Sequence, residues 1–280
     1  MIKIRILQFI IFCSIFIFSA LASESSKEEE NNKVVDKSRM LQSTILDGKV
    51  SIVGGTELIG KMLSRVVEAN EQSLSGNILE IACNYGGVAN FIKLQNHDKV
   101  FGIDIDEAAI NYAKDHYPGI DFQVADAIKL NDIFKEDFFN FIYMFDTAHS
   151  ISDKLSLFQR MKSISKQEAI FVIIDYATRD SDEDEISDDQ GNTITPINLK
   201  KLEPLMKYIG LDVLETIDIT SEYKTWYNQT LDYIAQSRDD LLKNGYSEDD
   251  LKLIIDKYTY LLNFMKQGKI GGLMLIIRRT

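Results

Sequence analysis

The stretch Asn77-Ile78-Leu79-Glu80-Ile81-Ala82-Cys83-Asn84-Tyr85-Gly86-Gly87 decides the fold. It opens as a short apolar run carrying a single acid, Glu80. It then turns through small residues, and Val88, Phe91 and Ile92 fall on one face of a helix that follows. A buried strand that feeds a tight turn and then a helix is the unit of an α/β sheet. Small residues in the turn let the backbone approach a ligand closely, and Asn84 reaches positive φ almost as readily as glycine. A helix N-terminus alone would suit a phosphate. Glu80 at the strand end repels a pyrophosphate and favours a ligand that carries positive charge.

The unit repeats along the chain. Lys99 to Asp104 reads as a second strand, with Asp106 placed to cap a helix carrying Ile110 and Ala113. Ile120 to Val124, Phe138 to Phe145 and Ala169 to Asp175 read as strands three to five, and Leu155, Phe158 and Met161 mark the helix between the last two. Continuous apolar strands alternating with helices predict a mostly parallel sheet covered on both faces. Such sheets bind ligands at the carboxyl ends of their strands. Asp104 ends the second strand 24 residues after Glu80, where an acid accepts hydrogen bonds from ribose hydroxyls. Asp126 follows the third strand, so three carboxylates share one predicted rim.

Composition narrows the function classes. The chain has 280 residues, 45% hydrophobic and 26% charged, which is an ordinary globular composition. Its formal net charge of -12 gives no electrostatic footprint for a phosphate backbone, so no nucleic-acid partner is expected. Three scattered histidines and two cysteines, Cys13 and Cys83, build no zinc site, so no metal is expected. Asp180 to Asp189 holds seven acidic residues in ten and reads as a solvated surface loop. The sequence is silent on oligomeric state.

The N-terminus reads as a secretory leader. Lys3 and Arg5 precede an apolar stretch of 13 residues, Ile6 to Phe18, and Ala20-Leu21-Ala22 ends it with small residues. The stretch is shorter than the ~20 residues of a membrane span. Cleavage after Ala22 predicts an exported chain that begins at Ser23, has no stable membrane insertion and carries one thiol, Cys83. An uncleaved anchor is the alternative. Residues 23–45 are polar, charged and without apolar period, as in a flexible tether, and 46–280 form the predicted domain.

The last third predicts a lid. Leu211 to Ile219 reads as a sixth strand and Leu273 to Ile277 as a seventh. Between them, Tyr223, Trp226, Tyr227, Leu231 and Ile234 follow helical spacing. A second helix opens at Ser247-Glu248-Asp249-Asp250 in a capping-box-like start and carries an apolar stripe from Leu251 to Met265. The hairpin, about 220–267, is placed to cover a site. The stripe reads as core. The aromatic trio has faces that attract methylated ammonium groups, and core packing is its alternative role. Asn228-Gln229-Thr230 is a glycosylation sequon inside a predicted helix.

Leu79-Glu80-Ile81-Ala82-Cys83-Asn84-Tyr85-Gly86 resembles the first motif of the class I S-adenosylmethionine-dependent methyltransferases, an acid in a pattern like L-D-x-G-x-G-x-G, with Ala82 and Asn84 in place of two glycines. The resemblance covers residues 50–178 and implies a Rossmann-like methyltransferase fold, a seven-stranded mostly parallel sheet with S-adenosyl-L-methionine as cofactor. It assigns Glu80 and the backbone from Ala82 through Asn84 to Gly86 to the methionine portion. It gives Asp104 to the ribose and Ile105 to the adenine face, with Asp126 and the Ala127 amide at the adenine amino group.

A narrower resemblance is to phosphoethanolamine and small-amine methyltransferases. It rests on Ser51 to Glu57, on Phe139 to Asp146, on Ile174-Asp175-Tyr176 and on Gly268 to Gly272. It adds Gly54 and Phe145 as cofactor contacts, Tyr176 as an acceptor contact and a small-molecule amine as acceptor. This chain departs from that group where the catalytic His is expected: Ser150 stands there and His149 lies one residue early. His149 is the candidate base, able to take the proton that an ammonium must lose before it attacks a methyl group. Two other readings stay open: an exported member of the fold that only binds, and one that methylates proteins.

Overall fold

The computed structural model describes residues 50, 52–70, 75–95, 99–178, 182–187, 191 and 193–280. The predicted leader (1–22) and tether (23–45) lie outside the described residues.

Helix α1 (Gly55–Asn70) precedes β1 (Asn77–Ile81). Then come α2 (Gly87–Leu94), β2 (Lys99–Asp104), α3 (Glu107–His116), β3 (Asp121–Val124) and a 3₁₀ segment, Ala127–Asp132. β4 (Phe139–Phe145) leads through a short 3₁₀ turn at Ala148–Ser150 into α4 (Lys154–Ile164) and β5 (Ser165–Thr178). Short strands β6 (Ile186–Ser187), β7 (Thr193–Ile194) and β8 (Ile197–Asn198) precede α5 (Leu199–Tyr208), β9 (Leu211–Asp218), α6 (Thr220–Lys243), α7 (Glu248–Lys266) and β10 (Gly271–Arg279).

The expected seven strands form the main sheet in the order β3-β2-β1-β4-β5-β10-β9, and β8 adds to the end of β5. β1 to β5 run parallel, while β10 is antiparallel to both β5 and β9. The strand order reverses at β1, between β2 and β4, which puts the turn after β1 at the topological switch point.

Alternation along the strands sorts the core into two layers. Ile78, Phe141, Tyr143, Val172, Ile174 and Met274 face α1, α2 and the α6–α7 hairpin. Leu79, Ile142, Met144, Phe171, Ile173 and Leu275 face α4, α5 and the 3₁₀ segment. Glu80 shares the parity of Ile78, so its carboxylate points into the layer that holds the hairpin.

Strand β5 is longer than its apolar run predicts. It begins at Ser165, and the exposed residues Lys166, Gln167 and Glu168 bulge out, with Glu168 at φ 62, between the pairs Phe139↔Ser165 and Phe141↔Ile170. Partners on both sides, β4 and β10, hold the ends that sequence pattern alone leaves open.

Local chemistry matches the elements. The Asp106 side chain accepts from the Ala108 and Ala109 amides at the start of α3. Ser247 and Asp250 form a reciprocal capping box at the start of α7. The sequon lies in α6, where the Thr230 hydroxyl is buried and donates to the Trp226 carbonyl.

Gly86 sits at φ 81 ahead of α2, and a Cβ there would fall 2.7 Å from the Phe122 ring and 2.9 Å from the Ala113 Cβ. Only glycine lets the turn after β1 lie against β3 and α3. Gly86→Ala is expected to cost about 2–4 kcal/mol of stability, from left-handed strain plus overpacking, as read by urea unfolding. A loss under about 0.5 kcal/mol would contradict this reading of the turn.

Candidate functional site

Every parallel strand from β1 to β5 carries an acid near or just after its carboxyl end: Glu80, Asp104, Asp126, Asp146 and Asp175. Glu80, Asp104 and Asp146 converge at the switch point, and Asp175 lies against His149 beside them. A cavity of about 590 Å³ opens there, lined by Ile52, Val53, Glu80, Ala82, Asn84, Asp104, Phe145, Asp146, His149 and Tyr176 from the sheet side. Trp226, Tyr227, Leu253, Ile254, Lys257, Tyr258 and Leu261 of the hairpin line the opposite wall. The volume is that of a small-molecule site.

The turn after β1 is held open by its dihedrals. Ala82 and Asn84 take φ 59 and φ 50, a left-handed backbone that glycine adopts most readily. The Asn84 amide donates to Asp104 Oδ2 at 2.9 Å and the Asp106 amide to Asp104 Oδ1 at 3.0 Å. Asp104 is thereby fixed against the turn.

Glu80 is 3% exposed. Its partners are the Tyr143 hydroxyl, which donates to Oε2 at 3.2 Å, and the Ala89 amide. Burial pushes its carboxyl well above the usual range, and neither partner restores the charge to an ordinary value. Asp146 is raised to about 6, first by burial and then by Asp175, against the pull of a hydrogen bond from Tyr223, of His149 and of Lys257. It sits at φ 46, and the Tyr223 hydroxyl of α6 donates to its Oδ1.

His149 enters the cavity wall from the 3₁₀ turn after β4. Its Nδ1 lies 2.9 Å from Asp175 Oδ1, and its amide donates to Asp175 Oδ2 at 3.0 Å. Asp175 has no exposed side-chain surface. The Tyr176 ring lies 4.2 Å from the imidazole, centroid to centroid, and burial raises its hydroxyl's pKa. On the hairpin wall Tyr227 stacks on Tyr258 at 4.5 Å.

Of the residues singled out in the sequence, Glu80, Ala82, Asn84, Asp104, Phe145, His149 and Tyr176 line one cavity. Gly54 and Gly86 do not line the cavity; each packs behind it, Gly54 against Leu58 and Gly86 against Phe122. Asp126 caps the 3₁₀ segment through the Ile128 amide, and neither it nor Ala127 lines the cavity. Ile105 is 70% exposed beside the cavity and, with exposed Val124 and Ile128, leaves apolar surface at the ends of β2 and β3. Tyr143, Asp175 and Lys257 are the residues that sequence reasoning passed over as site residues. The acid that ends each parallel strand was the available signal for Asp175.

A five-stranded parallel core with its order reversing at β1, an antiparallel β9–β10 pair and an acid-lined cavity at the strand ends is a Rossmann-like methyltransferase fold. Residues 56–216 match the family described as "Methyltransferase domain", and the chain belongs to that family. Phosphoethanolamine N-methyltransferase 3 of Arabidopsis thaliana is 25% identical over 212 residues, 72% of this chain and 42% of that protein. The chain therefore spans less than half the length of this curated relative. Among solved structures, a candidate sarcosine dimethylglycine methyltransferase from Galdieria sulphuraria superposes with a TM-score of 0.73 at 14% identity, over 87% of this chain and 98% of that one. Phosphoethanolamine N-methyltransferase 2 of Haemonchus contortus, in complex with phosphomonomethylethanolamine and S-adenosylhomocysteine, gives 0.69 at 17% identity, over 88% of this chain and 57% of that one.

Glu80→Gln tests the acidic end of the cavity. The amide keeps a partner for the Tyr143 hydroxyl and replaces a carboxyl whose ionisation burial penalises, so the empty protein should melt at the same temperature or higher. Affinity for S-adenosylmethionine should fall at least ~10-fold, the scale of one lost hydrogen bond to a charged group, measured by calorimetry. Unchanged affinity would remove Glu80 from the binding site.

Proposed function

We propose that this chain is an S-adenosylmethionine-dependent methyltransferase that transfers a methyl group to the nitrogen of a small amine. One observation carries the reading: the acid-lined turn after β1 and the His149–Asp175 pair face the same cavity, beneath an aromatic wall. The residues present fit the cofactor. Glu80 suits its positive end and Asp104 suits a ribose. Ile105, Val124 and Ile128 offer apolar surface to a flat base, with Asp126 close in sequence at the same edge. When bound, the cofactor supplies an electrophilic methyl group on a sulfonium.

The chain's own side chains supply the rest. Asp175 accepts from His149 Nδ1–H, which leaves Nε2 as the proton acceptor and fixes the ring. His149 takes the proton from an ammonium acceptor and frees the nitrogen lone pair. Asp146 accepts a hydrogen bond from the same ammonium, held in place by Tyr223. Trp226, Tyr227 and Tyr258 exclude water and present ring faces to a methylated cation. Lys257 adds a positive charge to that wall, which suits an amine with an anionic group a few atoms away. Most of the rate gain in such a site is orientation, because the methyl donor is already activated.

The test is incubation with methyl-labelled cofactor and a panel of ethanolamine, its phosphate ester, glycine and their N-methylated forms, with lysate proteins in parallel. Label on a small amine supports the reading. Label on proteins alone supports a protein-modifying enzyme, and cofactor binding with no transfer supports a binding-only protein.

His149→Ala is expected to lower turnover ~10²–10⁴-fold while leaving cofactor affinity unchanged, because it removes only the acceptor's base. The deficit should shrink as pH rises, since more of the amine then arrives deprotonated. A variant with full turnover at neutral pH would leave orientation as the whole mechanism.

We also propose export, with cleavage after Ala22. The support is the basic start, the short apolar run and the small-residue ending. Among the described residues no helix is long and apolar enough to cross a membrane. N-terminal sequencing of protein from the native host should read Ser23; an intact Met1 on membrane material would mean an anchor.

A further inference from the structure

We propose that the side-chain carbonyl of Asn84 is itself a cofactor-binding group, accepting a hydrogen bond from the ammonium of the methionine portion. The inference rests on the cofactor reading above and goes beyond it, because the family pattern places glycine here, with no side chain to offer.

Asn84 lines the cavity, and its Oδ1 is buried with no hydrogen-bond partner among the described residues. Buried polar atoms are normally paired, so an orphan acceptor on a residue that lines a cavity points to a missing donor. The position does not require a side chain. Its φ of 50 is one that glycine adopts without strain, and glycine would leave no acceptor unpaired.

The surroundings select the donor. The Asn84 amide is tied to Asp104 at 2.9 Å, which fixes where the side chain leaves the backbone. Glu80 and Asp104, both almost fully buried, share the cavity wall with it, so an arriving cation meets carboxyl oxygens beside Asn84 and favours their ionised forms. A methionine sulfonium carries that charge without an N–H or O–H. The ammonium has both the charge and the hydrogens, and the ribose hydroxyls face Asp104 in the reading above.

The test is Asn84→Gly in the full chain, a substitution the left-handed backbone accepts without strain. Two measurements are needed: thermal unfolding without ligand, and calorimetric affinities for S-adenosylhomocysteine and for 5′-methylthioadenosine, which lacks the amino-acid end. The expected result is an unfolding temperature equal to or above that of the unaltered protein, at least ~10-fold weaker binding of S-adenosylhomocysteine, and unchanged binding of methylthioadenosine. Unchanged affinity for S-adenosylhomocysteine would overturn the proposal. Equal losses for both ligands would overturn it too, by reducing Asn84 to a structural role in the turn. If the unaltered protein bound neither ligand, the cofactor reading itself would fall.

Discussion

The carboxylate of Glu80 is buried at the end of the central strand with only a phenol and an amide beside it. A carboxyl in that position is costly to ionise, and the sheet puts it there by register. β1 is flanked by β2 and β4, so its end cannot turn toward solvent. Much of the site follows from this constraint. The turn must be open enough for a ligand to reach the acid, which the positive φ at Ala82 and Asn84 provides. Gly86 must be glycine for that turn to lie down on Phe122. The hairpin must return over the cavity if the acid is to stay out of bulk water.

The hairpin is both core and wall. Ile254, Tyr258 and Leu261 belong to the larger hydrophobic layer and also line the cavity. The expectation that the stripe on α7 is core therefore holds, and the division between core and pocket does not. The same is true of the aromatic trio. Tyr223 is fully buried and ties α6 to Asp146, while Trp226 and Tyr227 face the cavity. Ion pairs from α1, Lys61 to Glu222 on α6 and Arg65 to Glu215 on the edge strand β9, are partly exposed and contribute little beyond fixing orientation.

Much of this was legible in the sequence because it is local. The strand–turn–helix at Asn77 to Leu94, the Asp106 cap, the capping box at Ser247 and the acids ending β1 and β2 are all set by neighbours a few residues apart. The pairings that make the site are not local. Tyr143 meets Glu80, Tyr223 meets Asp146 and Asp175 meets His149 only because the sheet order brings them together. The one-residue offset of His149 is of this kind. A 3₁₀ turn at Ala148–Ser150 and two hydrogen bonds to Asp175 bring it to the wall, and nothing in the spacing announces either. Asp126 and Ala127 lie outside the cavity because the 3₁₀ segment folds Asp126 into a cap, a local role the strand-end pattern does not distinguish from a binding one.

The central claim is that a cationic cofactor satisfies the buried acids. It is tested most directly by calorimetric titration of the unaltered chain with S-adenosylmethionine in two buffers of different ionisation heat at one pH. Glu80 holds its proton more tightly in the empty protein than a free carboxyl does, and a bound cation favours the ionised form. The account predicts one saturable site whose binding releases protons, seen as a buffer-dependent heat that grows when the titration is repeated at a lower pH. Absence of binding, or a proton release that does not grow as pH falls, would contradict it.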